Sequence, residues 1–306
     1  MSRILITGAA GMVGSRLLPH LVGHEVVATD IRPIPLPPGM TFAPMDVRGD
    51  DPDRVIADHT PDVVVHLASI VTPARTSTRE FEYAVDVTGT QNVLSACVRH
   101  GVRRLVVTSS GAAYGYHPEN RAPLTESAPI RGNPEFAYAH HKRLVEEMLA
   151  AARTAHPDLE QVVLRIGTVL GVGVENQITA LFRKPRLLAI RGSDSAFVFI
   201  WTEDLARILA RAATDGPPGI FNVAGDGTVG MDRLAAVMGK PMLRLPAWAL
   251  RTALAVARPL GLTPYGPEQV RFLQYRPVLD NSRLKSVFGY TPQKTSAETF
   301  DLWWRG

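Results

Sequence analysis

Thr7-Gly8-Ala9-Ala10-Gly11-Met12-Val13-Gly14 follows the β-branched run Arg3–Thr7 and opens an apolar helical pattern that continues to Val22. A strand, a glycine-rich turn and a helix in that order form the unit that cradles a dinucleotide. In this reading Gly8 permits the tight turn, Gly11 lets the backbone approach a pyrophosphate, and Gly14 lets helix and strand pack closely. The free N–H groups of the first helical turn, at Met12 and Val13, then face the anion together with the helix dipole. The spacing is G-x-x-G-x-x-G, one residue longer in its first gap than the commoner pattern.

Working outward, Glu25–Thr29, Asp62–His66 and Arg104–Ser109 are further strand candidates, apolar enough to be buried on both faces. Pro52–Ala57, Phe81–Arg99 and Phe136–Ala155 are amphipathic and lie between or after them. Such alternation predicts an α/β fold of the Rossmann type: a doubly wound parallel sheet of six or seven strands with right-handed crossovers. Gln161–Ile166 reads as the sixth strand. Residues 1–166 are expected to form the dinucleotide-binding domain. Residues 167–306, richer in Gly and Pro, form a smaller substrate-binding part with some elements returning to the first. Pro33–Pro44 is expected to be a local loop.

Composition narrows the classes. The chain has 306 residues, 45% hydrophobic and 20% charged, with a formal net charge of +4 and one cysteine, Cys97. That balance excludes disorder, a disulfide framework and a Cys-rich metal cage. No Lys/Arg stripe suggests nucleic acid. Ala247–Leu262 is shorter than the roughly 20 residues a membrane span needs. A cytoplasmic protein with a small-molecule substrate, and neither nucleic acid nor membrane as partner, is the expectation. No carboxylate or thiol cluster stands at metal-ligand spacing, so no metal is expected.

Asp30 closes the second strand, where a dinucleotide site places a carboxylate on the adenosine ribose. It accepts both ribose hydroxyls and repels a 2′-phosphate, which favours NAD over NADP. Arg32 works against that preference.

Tyr138-Ala139-His140-His141-Lys142 is a Tyr-x-x-x-Lys on a predicted helix. Its first and last residues lie on one helix face. Together with the glycine turn it resembles the extended short-chain dehydrogenase/reductase family, the NAD-dependent epimerase/dehydratase type. The resemblance runs from residue 1 to about residue 240. His66-Leu67-Ala68-Ser69, Val87-Thr88-Gly89-Thr90-Gln91-Asn92 and Thr108-Ser109-Ser110-Gly111-Ala112-Ala113-Tyr114-Gly115 follow in the family's order. The resemblance implies that Asp46 and Val47 lie beside adenine, and Leu67 and Ala68 under the cofactor. It implies that Ser110, Tyr138 and Lys142 are catalytic, and that the long helices 81–99 and 136–155 form a homodimer contact.

The chemistry of that set is general. A free phenol has a pKa near 10, too high for proton exchange at neutral pH, and an ammonium close by favours the phenolate. Tyr138 then passes the proton while Ser110 binds the carbonyl oxygen and Lys142 the nicotinamide ribose. His140 and His141 are expected to face solvent or to support the catalytic pair from behind.

Departures from the family pattern limit the function. The resemblance implies an Asp-Glu pair after the Ser in dehydratases, and Gly111 and Ala112 stand there, so a dehydratase is not expected. Thr168 replaces the Asn, and Phe197 the Arg, that hold a sugar nucleotide's diphosphate. Asp86 stands where the family has Asn. Thr168, Phe197 and Trp248 are the substrate-pocket candidates. Trp248 belongs to a segment apolar nearly all round, which predicts a buried helix. Three readings remain open: an NAD-dependent dehydrogenase or reductase of a secondary alcohol or ketone, an epimerase resembling UDP-glucose 4-epimerase with retained NAD, and a non-catalytic NAD sensor.

Overall fold

A computed structural model describes residues 2–74, 76–120, 123–263 and 265–306. Its strands are β1 (Arg3–Thr7), β2 (Glu25–Asp30), β3 (Thr41–Pro44), β4 (Val63–His66), β5 (Arg104–Ser110) and β6 (Glu160–Ile166). They continue with β7 (Thr168–Leu170), β8 (Leu187–Ile190), β9 (Phe199–Trp201), β10 (Gly219–Val223) and β11 (Met242–Leu245). Seven of these form one parallel sheet in the order β10-β6-β5-β4-β1-β2-β3. The chain is therefore a Rossmann-type doubly wound α/β fold. Strand order reverses between β1 and β4, where Thr7 pairs with His66, and the ligand crevice of such a sheet opens at that point.

Helices cover both faces because successive side chains of each strand point in opposite directions. Ile4, Ile6, Val63 and Val65 pack on one side with Leu17, Leu205 and Leu209. Leu5, Val27 and Val64 pack on the other with Val55, Val93 and Val145. All are buried, so a strand such as β4 has no polar side before His66. Truncating Leu5 to Ala would cost about 2–5 kcal/mol.

Three sequence expectations are corrected. Thr41–Pro44 is the edge strand β3 and not loop: Thr41 to Pro44 pair with Val27 to Asp30. Pro44 conceals it in the sequence, but an edge strand tolerates a residue without an N–H. Helix 81–99 is interrupted. It starts at Arg79, capped by Thr78, whose hydroxyl accepts from Phe81 N, and passes through a π-turn at Ala84–Thr88 before resuming at Gly89. Helix Ala247–Ala257 is not buried. Leu250 alone is fully covered, with Leu254 half-buried beside it against Val270 and Leu273, while Trp248 is 73% and Val256 57% exposed. Its alanines make the helix hydrophobic in composition without giving it two packing faces.

The later strands β8 and β11 pair in parallel, as do β7 and β9. No helix among the described residues is long and apolar enough to cross a membrane.

Candidate active site

The glycine turn sits at the carboxyl end of β1. Gly8 has φ +68°, and a Cβ there would stand 2.7 Å from Ala68 N. A Cβ on Gly14 would stand 2.6 Å from Gly8 O and 2.7 Å from Ala9 Cα, so only glycine brings the helix this close to the strand. Gly11 caps the helix that begins at Met12 and Val13. The N–H groups at the start of a helix lack intrahelical acceptors and point outward.

Asp30 ends β2 beside this turn. One carboxylate oxygen accepts Ala10 N at 3.0 Å and the other accepts Arg32 N at 3.2 Å. Each oxygen keeps acceptor capacity for a ribose hydroxyl. Arg32 is exposed. Asp46 is engaged by the Arg48 guanidinium, which holds its carboxyl below the usual range. Val47 is buried against Gly89, and its carbonyl accepts Asn92 Nδ2 at 2.9 Å. The backbone N–H groups of Leu67 and Ala68 donate to Thr7 Oγ1 at 3.2 and 3.1 Å, drawing the end of β4 against the turn. A dinucleotide fits these residues: a cleft floor that a Cβ would fill, outward N–H groups and a carboxylate with free acceptor capacity.

His66 continues the floor. Its Nδ1 lies 2.8 Å from Thr7 Oγ1 and its Nε2 3.0 Å from Thr90 Oγ1. The Thr90 hydroxyl donates to the Asp86 carbonyl at 2.6 Å, so Thr90 can only accept from His66. The imidazole therefore carries its proton on Nε2 and accepts from Thr7. Burial, reinforced by the charge of Lys142, pushes its pKa down to about 3, which keeps it neutral.

Ser110 ends β5, and its hydroxyl accepts Ala112 N at 3.1 Å. Tyr138 and Lys142 share one face of helix Ala137–Ala155, with Lys142 Nζ 5.5 Å from the centre of the Tyr138 ring. Lys142 Nζ donates to Thr108 O at 2.9 Å, which locks the ammonium onto β5. Burial pushes the Lys142 ammonium down, while Asp86 and Glu146 pull it up. Burial raises the Tyr138 phenol, Ser110 lowers it by a hydrogen bond, and Asp86 and Tyr116 raise it further. The three expected catalytic residues are thus brought together. The chain's own charges nonetheless hold Tyr138 as the phenol and do not favour phenolate, because burial and Asp86 outweigh Ser110.

Beneath them Arg165 makes a buried bidentate pair with Glu146, its Nε and Nη2 donating at 2.6–3.0 Å, while its Nη1 donates to Tyr114 Oη at 2.8 Å. Ser109 Oγ donates to the same carboxylate. This network ties β5, β6 and the helix of Tyr138 and Lys142 together. A Cβ on Gly111 would lie 3.2 Å from Leu279 Cδ2, so the position offers no room for an acidic side chain unless Leu279 shifts.

Of the pocket candidates, Thr168 is half-buried on β7, paired with Phe199. Trp248 lies on the outer face of its helix. Phe197 is buried, stacked on Phe199 with ring centres 5.5 Å apart. The guanidinium of Arg276 lies over Phe197 at 4.0 Å and beside Phe272 at 5.3 Å. Arg276 Nη1 donates to Ser195 O, and its Nε is buried without a partner. Desolvation pulls this arginine down to about 9. Phe272 touches Tyr116 edge-on at 5.3 Å, and Tyr116 faces Phe136, two residues before Tyr138. Sequence reasoning missed Arg276. Its signal was a lone arginine in the apolar run Phe272-Leu273-Gln274-Tyr275-Arg276-Pro277-Val278-Leu279.

His140 is half-exposed, but His141 is buried and pairs with Asp86, so it does not face solvent. The neighbouring helix covers it.

Known proteins are similar to this chain in sequence and fold. An uncharacterized protein of Mycobacterium tuberculosis is 25% identical over 313 residues, covering 99% of this chain and 83% of that protein. The UDP-glucose 4-epimerase of Mycolicibacterium smegmatis is 31% identical over 324 residues, 97% of this chain and 95% of that enzyme. Among solved structures, MoeE5 in complex with UDP-glucose and NAD superposes with a TM-score of 0.73 at 26% identity, covering 99% of this chain and 98% of that one. The model of the NAD dependent epimerase/dehydratase family matches residues 4–224. The chain belongs to the NAD-dependent epimerase/dehydratase family, with NAD as its cofactor.

Proposed function

We propose that this protein epimerises a nucleotide-diphosphate sugar, oxidising and re-reducing one ring carbon while NAD stays bound. The observation that carries this reading is Arg276. A half-buried guanidinium whose enclosed Nε is unsatisfied, and which has no carboxylate partner among the described residues, is costly unless an anion completes it. It stands over Phe197, the position that lacks its cation when the sequence is read alone. A diphosphate supplies both the charge and the acceptors that Arg276 lacks. An uncharged alcohol or ketone does not, which sets the simple dehydrogenase reading second. The likeness to a UDP-glucose 4-epimerase and to MoeE5 supports the same substrate class.

In this reading Tyr138 takes the proton of the sugar hydroxyl and later returns it, and the Ser110 hydroxyl bonds the same oxygen. Lys142, fixed on Thr108 O, would hold the nicotinamide ribose. NAD, when bound, accepts and gives back the hydride. Elimination of water is not part of the scheme, since Gly111 and Ala112 offer neither acid nor base. Residues 167–306 supply the sugar-nucleotide side of the cleft through Phe197 and Arg276, and the protein works as a homodimer.

The test is incubation of the purified protein with UDP-glucose, followed by proton NMR of the sugar and by absorbance of the NAD released on denaturation. The expected result is a 4-epimer with no net change in NADH. Stoichiometric NADH production, or reduction of a simple ketone with no epimer from any nucleotide sugar, would overturn it.

A further inference from the structure

The family pattern has Asn where this chain has Asp86, and the structure shows what accompanies the change. Asp86 sits on the π-turn Ala84–Thr88 and is 2% exposed. Its Oδ1 accepts from Ser69 Oγ and from Ile70 N, both at 2.8 Å. Its Oδ2 lies 3.0 Å from Nδ1 of His141, which is 1% exposed and stands directly before Lys142. One carboxylate therefore joins the loop that follows β4 to the helix bearing Tyr138 and Lys142. A π-turn inserts one extra residue into a helix and is frequently found at functional sites. Here it turns a buried charge toward the catalytic helix.

We propose that Asp86 and His141 form a positioning pair that fixes the catalytic helix against the cofactor floor and sets the pH at which Tyr138 exchanges its proton. The inference rests on Tyr138 and Lys142 being the proton-transfer couple proposed above. A buried pair of this kind contributes little net stability and is strongly disruptive only when one partner is removed. Its value lies in the field it applies. Asp86 carries its charge within reach of Lys142, whose ammonium it favours against burial, and of Tyr138, whose ionisation it opposes. Burial pushes the Asp86 carboxyl up, but the bond from His141, with Lys142, Ile70 N and Ser69 Oγ, holds it below the usual range, and His141 offsets part of its field. The other groups facing the pair are Glu146 beside Lys142 and Ser110 and Tyr116 beside Tyr138. His66, neutral, lies below, His140 is adjacent on the helix, and Tyr83 packs edge-on at 5.5 Å from the His141 ring.

The two partners then have opposite effects. Asp86→Asn keeps an acceptor for Ser69 and removes the charge, so Tyr138 ionises more readily. His141→Ser keeps the charge and removes its donor, so Tyr138 ionises less readily. The experiment measures the rising limb of the kcat–pH profile for the wild type, each single variant and the double variant. It also measures tyrosinate absorbance on titration without substrate, each protein being compared with its Tyr138→Phe counterpart. The expected result is an acid shift of about half to one pH unit for Asp86→Asn and an alkaline shift of similar size for His141→Ser. The double variant should follow Asp86→Asn, since His141 acts only through the carboxylate. Lower kcat with an unmoved limb, or shifts in the same direction, would reduce the pair to a structural contact and overturn the proposal. If His141→Ser does not fold, Asp86→Asn alone decides: an unmoved or alkaline titration refutes it. Activity that survives Tyr138→Phe would instead refute the assignment of the couple itself.

Discussion

The Arg276 guanidinium lies 4.0 Å above the Phe197 ring, so the cation absent from position 197 in the sequence is restored in space from a segment 79 residues further on. The ring is not idle at that position. Its face stabilises the half-buried guanidinium and leaves the N–H groups directed elsewhere. Arg276→Leu should therefore raise KM for a nucleotide-diphosphate sugar by about 10²-fold, the value of a charge-assisted pair. The Kd for NAD should not change. Calorimetry with UDP and with NAD, side by side, checks both statements.

Tyr138→Phe should lower kcat by about 10²-fold or more because it deletes the proton relay. It should leave the fold and NAD content intact. Circular dichroism and released NAD serve as controls for the rate measurement.

Asp30 should make the protein prefer NAD over NADP, since its carboxylate repels a 2′-phosphate. Asp30→Gly should narrow that preference by about tenfold or more, read from the two dissociation constants. The exposed Arg32 then becomes the dominant charge near the ribose.

His66 gives a pH-dependent stability with a definite sign. Its native pKa is about 3 against 6.5 for an unperturbed histidine, so the unfolded chain binds a proton that the native one refuses. The contribution is fully present above pH 6.5 and is lost as pH falls from there toward 3. The loss proceeds at up to about 1.4 kcal/mol per pH unit. His66→Gln, less stable at neutral pH because it disturbs the Thr7 and Thr90 bonds, should show a flatter fall of Tm over that interval.

Helices Gly89–Arg99 and Ala137–Ala155 flank a shallow groove lined by Gln91, Leu94, Val98, Met148, Ala151 and Ala155. As the surface of the proposed homodimer it should be disrupted by Ala151→Arg. Sedimentation velocity at micromolar concentration should show the wild type as a dimer and the variant as a monomer.

The sheet and the glycine turn were legible because they rest on local signals. Runs such as Val63-Val64-Val65 state their burial, and Gly8 and Gly14 state where backbone must meet backbone. Ser110, Tyr138 and Lys142 could be named because a motif carries their spacing. Arg276 could not, since its partners Phe197 and Ser195 lie far away in sequence and no local pattern encodes a contact across a cleft. The sequence leaves His141 either facing solvent or supporting the pair from behind, and only the π-turn that brings Asp86 against it decides between the two. Thr41–Pro44 was hidden by Pro44 and the proline-rich stretch before it, and Ala247–Ala257 misled because alanine counts as hydrophobic while burying little.

Strand β10 has a consequence for the order in which the molecule is made. The last strand of the cofactor sheet is supplied by residues 219–223, more than fifty residues after β6, which it covers. Asn222 then stitches it down, donating Nδ2 to Leu124 O at 2.8 Å and to Asp280 O at 3.0 Å. While the chain emerges from the ribosome, β6 stands as an open edge carrying Val162 and Leu164, both fully buried in the finished protein. Such an edge is a template for pairing with another nascent chain. A fragment ended at residue 166 would leave that edge open, and in the growing polypeptide the same edge waits for its cover until residues 219–223 have been made.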